Sequence, residues 1–145
     1  DVEPAGFARH SGFQRLEAAR SVLIADVGAA RGGAVASNAY QSGASFHFSS
    51  GRSRIVVNCG SGDRMPGEWP GALRLAAAHS TLSVDPPSIA GNLFRGAVIT
   101  HRRAEEQRGH LLEIERSFAG DGASAESPGG LMHLRRFYLA ARGDD

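Results

Sequence analysis

Lysine is missing from this chain of 145 residues: all sixteen basic residues are arginine. They are scattered, with Arg102-Arg103 and Arg135-Arg136 the only adjacent pairs, and fifteen acidic residues leave a net charge of +1. A nucleic-acid footprint needs a clustered basic face, so nucleic acid is excluded as the expected partner. Long apolar runs are also missing. Stretches such as residues 22–25 are far too short to span a bilayer, and no membrane role is expected. The single cysteine, Cys59, excludes an internal disulfide and leaves the compartment open between periplasm and cytoplasm. No secretory signal stands at the start. Asp1 in place of Met leads us to expect a processed or engineered end, which leaves room for a removed signal. Self-contained catalytic motifs are missing as well. There is no Gly-x-Ser-x-Gly elbow, phosphate loop, His-Glu-x-x-His or Cys-x-x-Cys.

What is present is punctuation and short apolar segments. Nineteen glycines and six prolines divide the chain into pieces of strand length. Residues 13–17 alternate Phe13, Arg15 and Glu17 against Gln14 and Leu16. Residues 22–27 form a compact apolar run. Residues 45–49 place Phe46 and Phe48 on one face and Ser45, His47 and Ser49 on the other. The Ser50-Gly51-Arg52 turn then leads into a β-branched run at 54–59, which predicts an antiparallel hairpin over 45–59. That hairpin is expected to be central, with Phe46, Phe48, Ile55 and Val57 in the core. Cys59, following Ile55-Val56-Val57, reads as a small apolar residue.

Further strands are expected at 81–84, stopped by Asp85-Pro86-Pro87, and at 97–102, 111–117 and 132–140. Residues 73–78 are alanine-rich and suit one or two helical turns, and Glu68 and Pro70 lie just before them, where a short helix could start. Residues 29–43 and 119–130, rich in Gly, Ala and Ser, read as surface loops. The fold class is therefore an all-β antiparallel sandwich with little helix, forming a single domain over 1–145. The end at Arg142-Gly143-Asp144-Asp145, directly after a strand, reads as a domain cut short.

Six histidines are the main chemical resource, and no His-x-His pair joins them. Each can serve as an ordinary surface or hydrogen-bonded core residue, since a metal site requires ligands that converge in space. His47 stands on the polar face of its strand, toward solvent or a ligand cleft. With Arg52 and Arg54 across the hairpin, it forms the best local set for binding an anionic group, because arginine matches a carboxylate or sulfate through paired hydrogen bonds. The structural alternative is a hairpin that solvates its outer face with Arg and Ser.

Three stretches resemble a known family: residues 12–26 (GFQRLEAARSVLIAD), Ser45-Phe46-His47-Phe48 with 54–60 (RIVVNCG), and Trp69 with 72–82 (ALRLAAAHSTL). Their order and spacing resemble the C-terminal domain of bacterial heparinase II/III-like polysaccharide lyases. Weaker likeness continues through 111–118 and 134–139. The resemblance implies an antiparallel sandwich that partners an N-terminal α/α toroid domain, which this sequence does not contain. It also implies cleavage of an acidic, uronate-containing polysaccharide by β-elimination. In that reaction a base takes the C5 proton, an acid assists the leaving oxygen, and buried donors stabilise the enolate.

The family's sandwich contributes a His-x-His pair, whose first member is catalytic and whose second binds a structural zinc. An aspartate and a later histidine complete that metal site. By position the pair falls near Asn38 and Tyr40, the aspartate at Asn58 and the later histidine at His79. Only His79 is retained. Asn38 is no proton shuttle, Tyr40 is a poor zinc ligand, and Asn58 carries no charge, so no catalytic residue and no bound zinc are expected. Two readings follow. The chain is the accessory domain of a lyase-like protein and inactive alone, or it is a non-catalytic sandwich that binds glycan or another protein.

Overall fold

The computed structural model describes residues 6–28, 41–83, 98–106, 108–118 and 131–142. Among these residues, eight strands form two antiparallel sheets. The first runs β1 (Phe7–Ala8), β2 (Phe13–Ala18), β3 (Ser21–Asp26), β4 (Phe46–Ser50), β5 (Ser53–Val56), in that spatial order. The second runs β6 (Val98–Glu106), β7 (Gly109–Phe118), β8 (Leu131–Ala140). Among the described residues, helix is confined to one turn, α1 (Trp69–Ala72), and a 3-10 turn at Ala76–Ala78. The architecture is the expected all-β sandwich. Short strands joined by tight turns build it: Ala18 pairs with Ser21 across Ala19-Arg20, and Ser50 with Ser53 across Gly51-Arg52. Gly51 has φ +58°, which glycine adopts without a Cβ penalty, and its N–H donates to Arg20 O at 2.7 Å.

The alternation along each strand decides what is buried. Gln14, Leu16 and Ala18 on β2 and Ser21, Leu23 and Ala25 on β3 point inward. They meet Leu112 and Ile114 of β7 and Leu139 of β8, with Phe46, Phe48 and Phe137 packed at the margin. Leu16, Leu112 and Ile114 are wholly buried. Truncating any of the three should cost about 2–5 kcal/mol.

Arginine joins the two sheets at one end. Arg116 continues the inward row of Leu112 and Ile114, is only 3% exposed, and donates from Nη1 to Gly43 O at 3.1 Å. Arg135 of β8 donates from Nη1 to Ala44 O at 2.7 Å and to Ser80 O, and its guanidinium lies over Phe46. Both side chains thus grip backbone carbonyls of loops that continue the first sheet.

Four local expectations need correction. The β4–β5 hairpin is at the edge of its sheet among the described residues, not at its centre. Ile55 and Val57 are 58% and 56% exposed rather than core, because the register shifts between Phe48 and Ser49 and β5 ends at Val56. Cys59, beyond that end, is exposed. Residues 81–83 form no strand, since this segment is fastened to β4 largely by side chains, as described below. The helical turn, by contrast, begins where Glu68 and Pro70 lead one to expect it, at Trp69 just before the alanine-rich stretch, with Pro70 in its first turn, where a missing N–H costs nothing.

Candidate functional site

The outer face of the first sheet carries the side chains that the inward row leaves over. Ile24 lies beside His47 in the β3–β4 register, and Phe13 beside Asp26 in the β2–β3 register. Two adjoining hollows open on this face and share Ile24 and His47. One, of about 220 Å³, reaches Asp26, Ser42, Asn58 and His79 at the loop end of the sheet. The other, of about 380 Å³, extends past Val22 and Ser49 to Arg54 and Val57. Together they make one groove with an apolar floor, a polar end and an arginine at the opposite end.

His47 and Arg54 therefore come together on the groove, as their strand positions imply. Arg52 does not: it sits exposed in the turn and lines neither hollow. Arg54 forms no ion pair among the described residues. Asn38 and Tyr40 lie outside the described residues, so the expectation placed on them has no structural counterpart here.

The polar end is built on Asp26. Its carboxylate accepts the Gly28 N–H at 3.1 Å and the Ser42 hydroxyl at 3.0 Å, and its backbone pairs with Ala44 and Ser45. Burial pushes its pKa upward, against the pull of those hydrogen bonds and of Arg116. Arg116 is in turn brought down to about 10 by burial, with the Asp26 charge opposing. His79 donates from Nε2 to Leu73 O at 3.0 Å, which fixes the Nε2–H tautomer because a carbonyl only accepts. Its pKa is lowered, first by burial and then by His47, while Leu73 and Asp26 raise it.

Asn58 is occupied at both ends. Its Oδ1 accepts the Ser80 N–H at 2.6 Å, and its Nδ2 donates to Phe46 O at 3.3 Å. Ser80 Oγ accepts the Phe46 N–H at 2.8 Å and donates to Phe46 O at 2.7 Å. Sequence reasoning missed Asp26, Ser80, Arg116 and Arg135. Parity could have found Arg116, which stands two residues beyond Ile114 on one strand face. Nothing in the local pattern marks Ser80, whose contacts lie 34 residues away.

The fold and the site define an all-β sandwich with a groove across its outer face. The family model for the C-terminal domain of heparinase II/III-like proteins matches residues 1–145, and the chain belongs to that family. No curated protein matches it. No solved structure matches it either.

The structural zinc that the family resemblance implies can be tested against the donor set. Asn58 presents a neutral amide, whose oxygen already accepts a backbone N–H, where a zinc site would use a charged carboxylate. Among the described residues no three His, Cys, Asp or Glu side chains converge on one point. These residues do not fit a tetrahedral zinc site.

Proposed function

We propose that this chain is the accessory C-terminal sandwich of a polysaccharide lyase-like protein, and that its outer groove recognises an acidic, uronate-containing polysaccharide. The observation carrying this reading is the juxtaposition of His47 and Arg54 along a groove floored by Ile24 and Val22. Apolar floors suit the C–H faces of sugar rings, and a guanidinium suits a carboxylate or sulfate. The C5 proton of a uronate is too weakly acidic to leave unless a base and carboxylate-neutralising donors converge on it. We assign those groups to the toroid domain of the parent protein and expect no β-elimination from this chain alone.

Two measurements test the proposal. The unsaturated uronate product absorbs in the ultraviolet, so the chain incubated with uronate polysaccharides should show no rise in absorbance. Turnover abolished by a point substitution within the chain would overturn the accessory role. In titrations with acidic and neutral oligosaccharides, acidic ones should bind preferentially, more weakly at high salt and in Arg54→Ala. Equal affinity for neutral sugars, or no effect of Arg54→Ala, would refute the groove. Arg52→Ala should change little, given its position outside the groove.

One observation favours a second role in protein contact. Met132, Leu134 and Tyr138 share the outer face of β8, at 61%, 45% and 47% exposure, with Arg136 between the last two. Exposed apolar side chains on one strand face suit a protein contact.

A further inference from the structure

We propose that Asn58 is a metal-independent clasp, whose amide fastens residues 78–81 to β4 at the position that the family resemblance assigns to a zinc ligand. The two groups it joins differ in kind. Phe46 O needs a donor, and Ser80 N–H needs an acceptor. An amide supplies both from one planar group, whereas an ionised carboxylate supplies only acceptors and would face the Phe46 carbonyl with a lone pair. Ser80 Oγ closes the same unit by bonding both backbone groups of Phe46. The Cys59 N–H adds a bond to Ala78 O at 3.3 Å. The segment after the 3-10 turn is thus held beside β4 without a regular strand ladder, and His79 is carried to the groove wall. The Asn58 oxygen is turned toward the Ser80 backbone, and a neutral amide lies outside the thiolate, imidazole and carboxylate ligands that hold zinc.

The titratable groups around this corner are Asp26 on β3, His47 on β4, His79 on the clasped segment, and Arg116 and Arg135 from β7 and β8. All are shared by the wild type and the variants below, so comparing the two at each pH isolates position 58. The decisive variant is Asn58→Asp. Ionised, it lacks the donor; protonated, it regains a donor and an acceptor in nearly the amide's shape. A shift in thermal unfolding that depends on pH therefore distinguishes an amide clasp from a residue that only fills space.

The tag-free chain should retain no zinc after desalting, by elemental analysis, and added zinc should leave its Tm unchanged. Asn58→Asp should lower Tm by several degrees at pH 7, zinc should not restore it, and the gap to wild type should narrow as the pH falls toward about 4. Stoichiometric zinc that raises the wild-type Tm would overturn the inference. So would rescue of Asn58→Asp by zinc, or a gap that does not depend on pH. Should Asn58→Asp not fold at pH 7, Ser80→Ala serves instead: a Tm equal to wild type would overturn the clasp, and a lowered Tm unaffected by zinc would support it.

Discussion

Ala19 holds a conformation that residues with a Cβ avoid. Its φ of +50° occupies the first central position of the β2–β3 turn, where glycine is the favoured residue. A left-handed conformation costs an L-residue roughly 1–2 kcal/mol, part of which glycine gives back through its greater unfolded-state entropy. Ala19→Gly should therefore stabilise the chain by about 0.5–1 kcal/mol in urea unfolding. A loss of stability would show that the Ala19 methyl makes a compensating contact. Residues such as Ala19, Asn58 and Ser80 are the least legible in the sequence, because their roles depend on a dihedral angle or on a distant backbone partner. His47 and Arg54 were legible because strand parity alone sets their face. Arg52 was misplaced because it lies in the turn, where parity ends.

Strand positions were readable for a related physical reason: period-two alternation and glycine-marked turns are local properties. The order of strands within a sheet is not local. Ile55 and Val57 carry the β-branched side chains of a core strand, yet a register shift and an edge position leave both exposed. This yields a paired prediction. Leu112→Ala, wholly buried on β7, should cost about 2–5 kcal/mol in denaturant unfolding. Ile55→Ala should cost no more than about 1 kcal/mol, consistent with a surface position. Comparable losses at the two sites would place β5 inside the sandwich after all. The segment at 81–83 makes the same point from the other side. Thr81-Leu82-Ser83 has strand composition, but Thr81 spends its hydroxyl on Gly43 O at 2.6 Å, and the neighbouring Ser80 and Asn58 side chains do the work of a ladder.

At the scale of the whole molecule, the two sheets meet through a charged corner as well as an apolar core, and the corner makes stability depend on pH in two opposing ways. Asp26 has a folded-state pKa raised above its ordinary value, chiefly by burial. Its contribution is fully present below the unfolded value of 3.8 and is lost as the pH rises through the folded value. His133, on β8 opposite Arg116, is pushed below its ordinary value by burial, by Arg135 and by Arg116. Its contribution is present above 6.5 and is lost as the pH falls through the lowered folded value; His79 behaves alike. The two kinds of group therefore offset one another across mildly acidic pH, and single substitutions should separate them. In Asp26→Asn the amide keeps an acceptor for Gly28 N–H, and the Ser42 hydroxyl can turn to accept. The stability of this variant relative to wild type should rise from pH 4 to pH 7, because the cost of ionising Asp26 is gone. In His133→Gln, stability relative to wild type should instead fall from pH 5 to pH 7, because the variant lacks the histidine's gain on deprotonation. Urea unfolding of the three proteins at matched pH values measures both differences. A flat or falling Asp26→Asn difference would mean that Arg116, Ser42 and Gly28 outweigh burial at Asp26, and that the corner behaves as a well-compensated ion pair.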